Sequence, residues 1–254
     1  MIGHFMTDRG QVRSHNEDSG GIFYKENGQL LAVIADGMGG HQAGDVASNM
    51  ATSYIRDKWG QVDGFTSPEQ AEDWVGKVIE ETNKSIYDHS LDKEECKGMG
   101  TTVVIALCTK EFFTIGHIGD SRCYFLDQHG FNQVTEDHSL VNALVQSGQI
   151  TKEEAKQHPR KNVVLKALGT EANVESDVET RSWETGDKLL LCTDGLTDKV
   201  SDSEIHEYMK GLFDGLESTS QQLVDLANER GGEDNVSLII IEHDLTEKEG
   251  EDSC

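Results

Sequence analysis

The chain has 254 residues, 35% of them hydrophobic and 27% charged, enough for one large globular domain with an ample core. Its 47 acidic and 22 basic residues give a net charge of −25, a surface that repels nucleic acid, whose affinity comes mainly from Lys and Arg on phosphates. No run approaches the ~20 apolar residues of a membrane span, and "MIGHFMTDRG" has neither the basic nor the apolar region of a secretory signal. We therefore expect a cytoplasmic protein.

In chain order, the first clear element is the apolar run Leu30 to Ala35, read as a buried strand that stops at Asp36. Residues 43–59 read as a helix, with Val46, Met50, Tyr54 and Ile55 at helical spacing and Trp59 closing the stripe. A longer helix runs from about 68 to 90, with Ser67 as N-cap and Pro68 at its first position. Strands follow from 101: "TTVVIALC", "FFTIGHIG", "SRCYFLD" and "GFNQVT". Short helices at 139–147 and 151–157 fall in a polar stretch, about 136–175, that reads as an insertion on one face. "VETRSW" and "KLLLCT" are strands, 201–210 and 218–229 helices, and "NVSLIIIEH" a last strand. Strands follow strands and helices follow helices, so the class is α+β with a mainly antiparallel sheet. We expect a single domain over 1–243 and an acidic, disordered tail over 244–254.

Five aspartates occupy similar places. Asp36, Asp120 and Asp194 each close an apolar run, Asp234 precedes "NVSLIII", and Asp18 stands just before a strand. Singly, each is an ordinary turn residue. Gathered at one edge they would repel unless a cation held them, and all-oxygen ligation suits Mg²⁺ or Mn²⁺. Gly37 would let backbone and metal-bound water approach closely. Arg13, five residues before Asp18, can clamp a phosphate with its guanidinium fork. Carboxylate-held metals plus an arginine point to phosphoryl chemistry. The five cysteines form no C-x-x-C pair, so zinc-type thiolate ligation is not expected.

"RSHNED", "VIADGMGGHQAG", "GMGTTVV", "HIGDSRCY", "TEDHSLV", "LLCTDGLTD" and "GGEDNVSLIII", in this order, resemble the metal-dependent protein serine/threonine phosphatases of the protein phosphatase 2C type, in their compact bacterial branch. The resemblance implies a sandwich of two antiparallel β-sheets flanked by pairs of helices, with 136–175 as a flap beside the site. It implies that Asp36 bridges two Mn²⁺ or Mg²⁺ ions, that the Gly37 carbonyl binds one, and that Asp194 and Asp234 hold the other. Glu17 and Asp18 would order metal-bound water, and Asp120 would help bind a third, weaker ion. Arg13 would bind phosphate, and a metal-bridging hydroxide would attack phosphorus in line. Met38 stands where some relatives place a general-acid histidine, so the leaving-group proton could come from His41 or from metal-bound water. His117, His138 and His158 read as structural or flap residues. The expected partners are phosphoproteins and a eukaryotic-like serine/threonine kinase that the protein opposes, with the protein itself a monomer. The alternative is a phosphatase-fold regulatory protein with little turnover.

Overall fold

A computed structural model describes residues 1–39, 43–211 and 215–244. His41 and residues 245–254 of the expected tail lie outside the described residues.

The elements in chain order are β1 (Ile2–Asp8), β2 (Asp18–Tyr24), β3 (Leu30–Met38), α1 (Ala43–Trp59), α2 (Pro68–Asp92), β4 (Gly100–Thr101), β5 (Val103–Cys108), β6 (Phe112–Ile118), β7 (Arg122–Asp127) and β8 (Gly130–Gln133). They continue with α3 (Leu140–Gln146), α4 (Lys152–Lys156), β9 (Asp177–Ser182), β10 (Lys188–Cys192), α5 (Asp194–Thr197), α6 (Asp202–Lys210), α7 (Gly215–Glu229) and β11 (Val236–Glu242). One sheet has the order β1-β11-β10-β7-β8, and the other β2-β3-β5-β6-β9 with β4 beside β3. Every pairing is antiparallel. None of the described helices is long and apolar enough to cross a membrane.

Strand periodicity explains the layers. Leu30, Ala32 and Ile34 on β3 point between the sheets, where they meet Val104, Phe113, Leu189, Leu191, Ile239 and Ile241. Leu31, Val33 and Ala35, on the opposite face of the same strand, pack under Ala47, Ile55, Val75 and Ile79 of α1 and α2. Leu190, Leu238 and Ile240 turn the outer face of the other sheet to Ile205 and Met209 of α6 and to Leu223 and Val224 of α7. A central strand covered on both faces needs apolar residues at every position, which is why "LLAVIA" does not alternate. The expected four-layer sandwich is what forms.

Local signals set the helix starts. Ser67 Oγ accepts the Gln70 N–H ahead of Pro68. At α6, Ser201 and Glu204 exchange side-chain and backbone hydrogen bonds in a capping box. Two elements were not legible: β1, which pairs along its whole length with β11, and α5, a four-residue helix where an Asp-Gly turn is the simpler reading. The strand read as stopping at Asp36 continues two residues further, because Gly37 and Met38 pair with Thr101 and Gly100.

Candidate active site

The sheets bring one edge of each together around a cavity of about 190 Å³, lined by Arg13, Glu17, Asp36, Gly37, Asp120, Asp194 and Asp234 among others. Asp18 opens β2 and lies directly across the ladder from Asp36 of β3. Like charges facing each other across a ladder destabilise it unless something neutralises them. Asp120 follows β6, Asp194 is the first residue of α5 just after β10, and Asp234 precedes β11.

The backbone around these carboxylates is tightly fixed. The Asp36 N–H donates to Thr102 Oγ1 at 2.9 Å, and the Asp36 carbonyl accepts from Thr101 Oγ1 at 2.8 Å and from the Thr102 N–H at 2.9 Å. Thr102 Oγ1 also lies 2.7 Å from Ser121 Oγ, tying Asp36 to the neighbour of Asp120. Only glycine fits after Asp36, since a Cβ on Gly37 would sit 2.2 Å from the Gly44 carbonyl oxygen and 2.5 Å from that of Glu17. Gly195 is equally constrained, 1.9 Å from the Asn235 carbonyl oxygen by the same construction.

Burial and mutual repulsion shift the acids upward. Asp18 is pushed up to about 7, by burial first, against the hydrogen bonds of neighbouring hydroxyls. Asp36 and Asp194 are raised well above the usual carboxylate range, again by burial and then by the surrounding aspartates. Asp120 is raised to about 6 by burial and the charge of Asp137. Burial also raises Glu17. Thr193 Oγ1 donates to Asp18 Oδ2 at 3.0 Å. Asp18 Oδ1 and Asp194 Oδ1 are nevertheless buried with no hydrogen-bond partner, an arrangement that costs free energy in the absence of a proton or a cation.

Residues 7–228 match the family described as protein phosphatase 2C. The chain belongs to that family. It is a serine/threonine phosphatase, and its relatives are similar along nearly their whole lengths. The serine/threonine phosphatase stp of Listeria monocytogenes is 45% identical over 248 residues, covering 98% of each chain. The crystal structure of serine/threonine phosphatase Stp1 from Staphylococcus aureus superposes with a TM-score of 0.87 at 40% identity, covering 94% of each chain. The catalytic domain of PstP, solved in complex with two manganese ions, gives a TM-score of 0.81 at 33% identity over 94% of this chain and 96% of that one.

The phosphatase thus gathers Arg13, Asp18, Asp36, Gly37, Asp120, Asp194 and Asp234 at one edge, while His41 lies outside the described residues. Arg13 lines the same cavity, as its place in the sequence suggested. Its Nη2 pairs with Asp234 Oδ2 at 2.8 Å and its Nε donates to the Glu233 carbonyl at 3.3 Å. Asn235 was read only as a turn residue, yet its Oδ1 accepts the Glu17 N–H at 2.8 Å. Its Nδ2 donates to the carbonyls of Arg9 and His15, at 2.8 and 2.9 Å, stapling the Arg13 loop to the Asp234 loop. Asn162 and Val164, from the segment 136–175, also line the cavity. No short-range pattern announces such contacts between distant loops.

Proposed function

We infer that the phosphatase hydrolyses phosphoserine and phosphothreonine of proteins at the carboxylate cavity, with Mn²⁺ or Mg²⁺ as cofactor. The observation that carries this reading is the pair of orphaned buried oxygens, Asp18 Oδ1 and Asp194 Oδ1, within a set of mutually repelling aspartates. Hard cations prefer such a donor set, so the residues fit the ions. Asp36, the Gly37 carbonyl, Asp194 and Asp234 would hold two, with Asp120 helping to hold a weaker third. When bound, these ions supply hydroxide as a nucleophile at neutral pH and offset charge on the phosphoryl oxygens.

The chain's own residues do the rest. Glu17 and Asp18 orient water, and Arg13 holds the phosphate for in-line attack opposite the leaving oxygen. A thiol nucleophile is disfavoured: Cys96, Cys108, Cys123 and Cys192 are all buried, and burial pushes the Cys192 thiol up to about 12. The leaving-group proton would come from His41, four positions after Gly37 in the sequence, or from water held at the site. We further propose that this enzyme works in the cytoplasm as a monomer, opposing a eukaryotic-like serine/threonine kinase.

Phosphate release from a phosphothreonine peptide tests the reading. Turnover is expected with Mn²⁺ and none with excess chelator; chelator-resistant turnover would rule out the cation role. Arg13→Ala should act differently from loss of a metal ligand. The Arg13 side chain is 47% exposed at the cavity, and losing a charge-assisted hydrogen bond to phosphate is worth roughly a tenfold rise in KM, with a smaller fall in kcat. Mn²⁺ affinity by calorimetry should stay within a few-fold. Lost Mn²⁺ binding would instead assign Arg13 to holding Asp234.

A further inference from the structure

Gly119, which immediately precedes Asp120, has φ +110°, and a Cβ there would lie 2.5 Å from Thr102 Cγ2. Both of its polar backbone groups are taken by one residue at the root of the flap. The Gly119 N–H donates to His138 Nδ1 at 3.2 Å, and the His138 N–H donates to the Gly119 carbonyl at 2.9 Å. His138 also anchors the flap, because its carbonyl accepts the Leu165 N–H at 2.7 Å and its neighbour Ser139 bridges to Val164. Val164 lines the cavity.

The His138 ring is fixed from two further directions. It stacks on His117 with centroids 4.7 Å apart and planes 15° from parallel, and the His117 Nε2 meets the Glu136 carbonyl at 3.0 Å. His138 Nε2 faces Asp177 Oδ2 at 3.3 Å. His117, His138 and Asp177 are close enough to share a cation, but the hydrogen bonds decide against it. Accepting the Gly119 N–H requires the lone pair on Nδ1, so in the neutral ring the proton sits on Nε2, the nitrogen that faces Asp177. That nitrogen donates to Asp177 and has no lone pair for a metal. The cluster is a brace.

We propose that His138 is a positioning residue for Asp120, clamping the Gly119 peptide so that the Asp120 carboxylate and the flap keep one register relative to the cavity. The inference rests on the proposed role of Asp120 in holding the weaker cation. Two substitutions separate the ring's contacts. His138→Asn keeps an acceptor where Nδ1 was and drops the reach to Asp177. His138→Gln keeps that reach and removes the acceptor for Gly119.

The readouts are amide exchange at Gly119 in the metal-free protein, calorimetric Mn²⁺ titration, and turnover at limiting and saturating Mn²⁺. His138→Gln should speed Gly119 exchange and lower turnover at limiting Mn²⁺, each by about tenfold, the scale of one lost hydrogen bond. Saturating Mn²⁺ should recover most of the turnover, the tight sites should stay filled, and His138→Asn should behave nearly as wild type. Equal behaviour of the two variants, or a glutamine variant with wild-type exchange and Mn²⁺ dependence, overturns the proposal. So does Zn²⁺ binding that is lost on Asp177→Ala. If His138→Gln does not fold, His138→Leu decides: it too removes the acceptor for the Gly119 N–H and should raise Gly119 exchange and the Mn²⁺ requirement, and no change in either sinks the idea. Failure of the cofactor reading itself shows separately, as chelator-resistant turnover in wild type.

Discussion

Asp36→Asn is expected to remove nearly all turnover while making the metal-free protein more stable. Under the proposed reading, Asp36 is the carboxylate shared by two cations. Its loss should therefore exceed the roughly 10–100-fold cost of mutating a residue that only orients a ligand, and a thousandfold or greater fall is expected. The same substitution removes one of the facing charges on the β2–β3 ladder and keeps the shape of the side chain. Without cations, Asp36 is held well above the usual range by burial and by Asp18, Asp194 and Asp120, so a neutral amide relieves strain that the fold otherwise bears. A stability gain opposed to an activity loss is the signature of a residue retained for function. Steady-state hydrolysis of a phosphothreonine peptide at saturating Mn²⁺ and thermal melting in chelator read the two effects. Near wild-type turnover would remove Asp36 from the cage, and a large loss of stability in chelator would make it a structural residue.

In chelator, stability should fall as pH rises from about 4 to 7. The folded-state value of Asp18 is about 7 against 3.8 for the free side chain, so between these limits the native state binds more protons than the unfolded chain. Stability is then fully present below the unfolded value and is lost as pH rises through the folded one. A shift of about three pKa units is on the order of 4 kcal/mol for Asp18 alone, and Asp36 and Asp194 act with the same sign. A drop in Tm of roughly 10 °C is expected for a chain of this size. Mn²⁺ should close the gap, because cation binding favours the ionised carboxylates and strengthens as they lose protons. A flat pH profile in chelator would mean that the carboxylates do not confront one another.

Much of this architecture could be read from local pattern. The unbroken "LLAVIA" run announced a buried strand, and the apolar stripe of α1 and the Ser67 cap of α2 announced those helices. The aspartates were found because each stands at the end or just before the start of a strand-like run. What escaped reading depends on partners distant in sequence. In β1, Ile2, Phe5 and Met6 do not keep to one face of the strand, and its stability comes from β11 at the other end of the chain. Arg13 shares the site to which Asp18 belongs, as proximity in sequence suggests, but its ion pair with Asp234, 221 positions away, had no local signal. Thr193, Asn235 and Thr102 look like ordinary turn or strand residues until the loops that they join are brought together. Short-range rules carry no information about such closures.

The pairing of β1 with β11 has a consequence for how the enzyme comes into being. Arg13 follows the first strand and Asp234 precedes the last, and the Met1 amino group donates to the Asp244 carbonyl across the seam. Translation delivers residues from the N-terminus onward, so β2, β3 and the first three cage carboxylates leave the ribosome long before Asp234 is made. The nascent chain should have no phosphatase activity until residues 236–242 emerge and zip onto 2–8, and a prematurely terminated product should be inert towards cellular phosphoproteins. Because the two strands lie side by side, a short peptide joining their outer ends should allow new termini to be cut elsewhere, as in circular permutation.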